Sequence, residues 1–136
     1  MSLIISNQRM SKEDLTPEIL ADYIVEAMLE HKACDIVKID LRKIENPITD
    51  FFIICHGNSN THVNAISDNV ERDVRKKCKD RPWKVEGKDN SEWVLMDYVK
   101  VVCHVFQRPV REFYNLEDLW SDGEVTRYEE SVTDSF

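Results

Sequence analysis

Five apolar residues in a row, Phe51-Phe52-Ile53-Ile54-Cys55, follow a polar connector that ends at Pro47 and give way to Gly57. With Thr49 and Asp50 in front, the segment Thr49–Cys55 predicts a central strand covered on both faces, because neither side of it is polar. A strand of that kind requires packed layers above and below its sheet. The chain has 136 residues, which suits one compact domain. Asp35–Leu41 predicts a second strand: Val37, Ile39 and Leu41 alternate with Lys38 and Asp40, so one face is wetter.

Helices flank these strands. Thr16-Pro17-Glu18 combines a hydroxyl cap, a proline at the first helical position and an acid in the first turn. Leu20, Ile24, Ala27, Met28 and His31 follow at helical spacing and place one stripe on a core. Gly57-Asn58-Ser59-Asn60 breaks the central strand and caps a second helix, whose stripe is Val63, Ile66, Val70, Val74 and Cys78. That helix ends in Arg75, Lys76, Lys77 and Lys79, cations favoured by the negative end of the helix dipole, a simpler reading than an RNA patch.

Trp83–Glu86 predicts a short strand. Glu92–Tyr98 and Lys100–Phe106 are two more, with only Val99 between them. Pro109 opens a short helix through Tyr114, and Asn115 caps another turn through Trp120. Residues 1–14 lack periodicity and read as a loose arm, and residues 121–136 as a disordered acidic tail. The order α-β-β-α-β-β-β-α gives an α/β (α+β) domain over 15–120: one mixed sheet of about five strands flanked by helices.

Lys and Arg total 18 and Asp and Glu total 26, a net charge of −8. That balance argues against binding driven by nucleic-acid phosphates and is compatible with a basic protein partner. Cys34, Cys55, Cys78 and Cys103 form no CxxC pair and read as reduced thiols of a cytoplasmic protein. No apolar run approaches the roughly 18 residues that span a bilayer.

Three chemical constellations are weak. Cys55-His56 and Cys103-His104 supply soft ligands, but neighbours on a strand point to opposite faces and cannot share one zinc ion. Cys55, His104 and Asp97 could form a thiol triad on paper; a reactive thiolate needs cationic surroundings or a helix start, so Cys55, near one, is the better candidate, and Cys103, mid-strand in an apolar run, suits an inert thiol. Gly57-Asn58-Ser59 before a helix could hold a phosphate, but the closely spaced carboxylates of a nucleotidyltransferase are missing. The expectation is no catalysis, no metal and no cofactor.

The segment Glu92-Trp93-Val94-Leu95-Met96-Asp97-Tyr98 is more informative. Alternation puts Val94, Met96 and Tyr98 on a core face, and Trp93, Leu95 and Asp97 on the other. A face mixing an indole, an aliphatic chain and a carboxylate suits a protein interface. It equally suits packing of Trp93 under the C-terminal helix, with Asp97 in a turn.

These segments, with Asp35-Ile36-Val37, Val85-Glu86-Gly87, Val101-Val102-Cys103-His104-Val105-Phe106, Arg111-Glu112-Phe113-Tyr114, Leu116-Glu117 and Leu119-Trp120, resemble the RsfS/Iojap family in order and spacing from about Leu15 to Ser121. The resemblance implies a nucleotidyltransferase-like fold without catalytic carboxylates. It also implies a ribosomal silencing factor that binds ribosomal protein L-fourteen of the large subunit, sterically blocks the small subunit and represses translation, with rRNA at most peripheral. A large-subunit assembly role uses the same surface, and homodimers are a family tendency. The interface positions it implies are Trp93, Leu95, Asp97 and Tyr98, supported by Arg111, Glu112 and Tyr114. The chain departs from the family at Val99 and Lys100, where Gly and Asp are usual. Valine disfavours the positive φ of a tight hairpin, and Lys100 reverses a charge.

Overall fold

The computed structural model describes residues 14–128. Helix α1 spans Pro17–Glu30, strand β1 Cys34–Asp40 and β2 Phe51–Gly57. Helix α2 spans Asn60–Cys78, followed by β3 Lys84–Glu86, β4 Trp93–Asp97 and β5 Val101–Gln107. Helices α3, Arg108–Tyr114, and α4, Leu116–Leu119, precede β6, Glu124–Tyr128. The sheet order is β3-β4-β5-β2-β1-β6. Among the described residues, β2 and β5 pair in parallel, and β1–β2, β1–β6, β3–β4 and β4–β5 are antiparallel.

Every residue of β2 is buried, as its uninterrupted apolar run requires. Its alternating side chains feed two cores. Phe51, Ile53 and Cys55 join α1 and α2, whose stripes include Ile24, Met28, Val63, Ile66 and Val70. Phe52 and Ile54 join Val37, Ile39, Phe106 and Leu116 on the opposite face, beneath the much shorter α3 and α4. The long helices α1 and α2 cover the centre of one sheet face, and the short α3 and α4 cover less of the other.

The start of α1 acts as anticipated, whereas Asn115, expected to cap α4, makes no side-chain capping bond. The Thr16 hydroxyl accepts the Ile19 N–H at 3.1 Å, and Pro17 opens α1. His31 is not part of the buried stripe: it is the C-cap of α1, and its Nε2 lies 3.4 Å from an Asp73 carboxylate oxygen on α2.

Among the described residues the sheet has six strands, not about five. The added strand, β6, falls in the segment expected to be an acidic tail, and it pairs with β1 from Ile36↔Tyr128 to Asp40↔Glu124. Its own residues are mostly exposed, so it lacks the apolar alternation that betrays a strand; pairing with β1 and packing of Tyr128 on the core hold it. Gly123 brings the chain in: a Cβ there would lie 2.6 Å from Ile39 Cγ2 and 3.0 Å from the Asp40 carbonyl oxygen. The rest of the expected tail, and the arm over 1–14 except Asp14, lie outside the described residues.

Candidate protein-docking face

Strand β4 alternates as its sequence demands. Val94 and Met96 are fully buried under the helices, and Trp93, Leu95 and Asp97 are half-buried on the partly roofed face. The antiparallel register sets Phe106 opposite Trp93, His104 opposite Leu95 and Val102 opposite Asp97. Those six side chains form the floor of the candidate site.

Trp93 serves both of the roles its pattern allowed. Its ring centroid lies 4.7 Å from that of Tyr114 at the end of α3 and 4.9 Å from that of Phe106. Its indole N–H donates to His104 Nδ1 at 3.1 Å. Nδ1 is therefore an acceptor, and His104 is neutral with its proton on Nε2. Burial agrees, pushing the His104 pKa down to about 3. Phe52 stands edge-on to His104 at 4.7 Å and to Trp120 at 5.7 Å, extending the aromatic layer beneath α4. Phe113 is 80% exposed, Leu119 is 69% exposed, and Tyr114 shows half its surface, so the aromatic layer continues to an open apolar rim.

Asp97 is also a structural residue. Its Oδ1 accepts the Val99 N–H at 2.7 Å. Val99 sits at φ 77, and the Lys100 N–H closes on the Tyr98 carbonyl at 2.9 Å, the bond of a three-residue turn. The hairpin thus forms despite valine. The Thr49 hydroxyl donates to the Val99 carbonyl at 2.9 Å, and the Asp50 and Phe51 N–H groups both reach the Lys100 carbonyl at 3.1 Å. The surroundings hold a conformation that the β-branched side chain alone disfavours.

Two of the other expected interface residues are interior. Tyr98 is 6% exposed in the helix-covered core, and burial raises its hydroxyl pKa. Arg111, also 6% exposed, locks α3 and α4 to the sheet. Its guanidinium donates to both Glu117 carboxylate oxygens at 3.3 and 2.9 Å, to the Cys34 carbonyl at 3.3 Å and to His56 Nδ1 at 2.9 Å. Burial first, then the Arg111 charge, lower the His56 pKa. Glu112 is at the surface, accepting from Arg108 at 3.2 Å. The structure thus gathers Trp93, Leu95, Asp97 and Tyr114 on one accessible face, keeps Tyr98 and Arg111 behind it, and leaves Glu112 at the rim.

Sequence reasoning missed His104, Phe113 and Leu119 as parts of this face. His104 was legible in principle, since it shares a pleat parity with Phe106, but only the β4–β5 register places it under Trp93.

Cys103 belongs to the helix-covered core and His104 to the other face. Among the described residues, no three His, Cys, Asp or Glu side chains group to hold a metal. Burial pushes the Cys55 thiol up to about 12. At the Gly57–Ser59 turn, Ser59 Oγ accepts the His62 N–H at 3.1 Å, and His62 Nδ1 accepts the Asn58 N–H at 3.0 Å. Those donors are used in capping α2. No helix among the described residues is long and apolar enough to cross a membrane.

Residues 13–135 match the family model described as ribosomal silencing factor during starvation, RsfS. The chain belongs to the RsfS family. Among RsfS relatives, the ribosomal silencing factor of Bacillus subtilis is 41% identical over 94 residues, covering 69% of this chain and 78% of its own. The mouse protein called mitochondrial assembly of ribosomal large subunit protein 1 is 33% identical over 102 residues, 74% of this chain and 44% of its own. A crystal structure of a Chromobacterium violaceum protein superposes with a TM-score of 0.74 at 30% identity, covering 79% of this chain and 88% of that one. The RsfS fold, a mixed sheet flanked by helices, is the one described above.

Proposed function

We propose that this chain docks on the large ribosomal subunit through the partly roofed face of β4, engages ribosomal protein L-fourteen, and by its bulk keeps the small subunit from joining. No bond is made or broken, and no cofactor is needed. The observation supporting this reading is the half-exposed row Trp93, Leu95 and Asp97 beside exposed Phe113, Tyr114 and Leu119, on a face that α3 and α4 cover only in part. Aromatic anchors at such a face carry most of the binding energy in protein interfaces. A patch of about 800 Å² per partner suffices for a specific complex. The net charge of −8 favours encounter with a basic ribosomal protein. Tyr98 and Arg111 act by fixing β4 and α3, and Glu112 and Tyr114 stand at the contact margin. The proposal places the chain with cytoplasmic ribosomes and extends to a homodimer, read by sedimentation velocity.

The test is to pellet purified large subunits with the chain and then add small subunits. Co-sedimentation with loss of joined ribosomes is expected. Trp93→Ala weakens binding by about 2 kcal/mol or more. Unchanged binding by a folded variant sinks the assignment of this face. A second reading, an assembly role, is favoured by the name of the mouse relative. It leads to co-sedimentation without loss of joined ribosomes.

A further inference from the structure

A run of cations interrupts the acidic chain. Between Arg75 and Lys84 stand six cations, Arg75, Lys76, Lys77, Lys79, Arg81 and Lys84, against the single carboxylate of Asp80. That surplus of five means that the remainder of the chain carries thirteen net negative charges to reach −8. All six cations are exposed. The dipole of α2 accounts for those in its last turn, but Lys79 is already the left-handed C-cap, and Arg81 and Lys84 lie beyond the helix.

Trp83 lies within this run and is 74% exposed. Its backbone is fixed, because its N–H donates to the Asp97 carbonyl at 2.7 Å. An indole held out from a pinned backbone among cations is not a packing residue. Lys77 pairs with Glu30 at 3.9 Å and Lys84 with Glu86 at 2.6 Å. Among the described residues, Arg75, Lys76, Lys79 and Arg81 make no ion pair. On α2, Arg75 and Lys76 are exposed and lie off the buried stripe of Val70, Val74 and Cys78.

We propose that the end of α2 and the loop to Lys84 bind an unpaired RNA strand, its phosphates meeting these cations and one base stacking on Trp83. Stacking on an aromatic platform in a basic groove is how single strands are held without sequence readout. Only unpaired bases offer a free face to the indole. The overall negative charge does not prevent it, since fields are screened over about 8 Å at physiological salt. An acidic peptide would satisfy the cations but give the indole no flat partner. The inference does not rest on the docking proposed above.

The test is fluorescence anisotropy of the full chain with a labelled, unstructured RNA of about 12 nucleotides, within the usual single-strand site sizes. Binding is expected to weaken steeply with salt, with a log–log slope near −3 for about four phosphates. Trp83→Ala, which leaves the fold and its melting temperature unchanged, weakens binding about tenfold, and Trp83→Phe largely retains it. Lys76→Glu with Lys79→Glu abolishes it. Duplex RNA binds more weakly and ignores Trp83→Ala. Absence of binding at low salt, equal affinity for Trp83→Ala, or polyglutamate binding as tightly as RNA would overturn the proposal.

Discussion

The Asp97 carboxylate accepts the Val99 backbone N–H at 2.7 Å, tying the last residue of β4 to a valine held at φ 77. The same carboxylate stands on the proposed docking face, so loss of binding on its removal has two separable origins. Val99→Gly relieves the left-handed valine and is expected to stabilise the domain by about 1 kcal/mol. Asp97→Ala costs about 1 kcal/mol through the lost hydrogen bond. In the Val99→Gly background that cost shrinks, whereas any effect on ribosome binding stays. Urea unfolding of the four variants in a double-mutant cycle reads the difference, and additive stabilities would show that the two residues are uncoupled.

His104 makes the domain sensitive to acid. Its pKa falls from 6.5 to about 3 through burial, so below pH 6.5 the unfolded chain takes up a proton that the folded chain refuses. That contribution to stability is complete above pH 6.5 and is lost as pH falls towards 3. His56, lowered by burial and by Arg111, adds in the same direction. The slope from His104 approaches about 1.4 kcal/mol per pH unit. His104→Gln, which keeps an acceptor for the Trp93 indole, should flatten the stability–pH curve between pH 6 and 4 by nearly one proton. An unaltered slope would exclude His104 as the source.

Arg111 is expected to matter for reasons other than contact. Arg111→Met leaves the Glu117 carboxylate partly buried without its cation and should destabilise the domain by about 3 kcal/mol or more. Arg111→Lys should recover little, because an ammonium cannot match the two-oxygen bond to Glu117 and the bonds to Cys34 and His56 together. Hydrogen exchange should show residues 108–119 loosening before the central strands. Uniform loosening of the whole domain would count against a local clamp.

The thiols give a simple check on the core. Burial pushes Cys55 and Cys78 up to about 12 and Cys103 well above its usual value. A thiol reagent at neutral pH should leave these three untouched until denaturant is added, while the half-buried Cys34 reacts first. Prompt reaction of Cys103 would mean that β5 is not packed as described.

Much of this architecture is legible from local pattern. The unbroken apolar run of β2 signals burial on two sides, and the alternation of β4 separates Val94 and Met96 from Trp93, Leu95 and Asp97. β6 is hidden because an edge strand buries little, and its Glu124, Thr126 and Arg127 carry no periodic signal. The proposed docking face is only half legible. Which residues of β4 share a side follows from pleating, but that His104 receives the indole hydrogen bond depends on the register with β5, and the interior position of Arg111 on how α3 folds back.

The parallel pairing of β2 with β5 joins Phe51 to Val101, fifty positions along the chain. The β1–β2 hairpin can form as soon as it leaves the ribosome, but the inner edge of β2 must wait for β5. At typical synthesis speeds of roughly 5–20 residues per second, that greasy edge stays unpartnered for several seconds. A nascent chain of this kind is therefore exposed to strand-to-strand clumping during its own manufacture, and slower elongation between residues 58 and 107 lengthens the hazard.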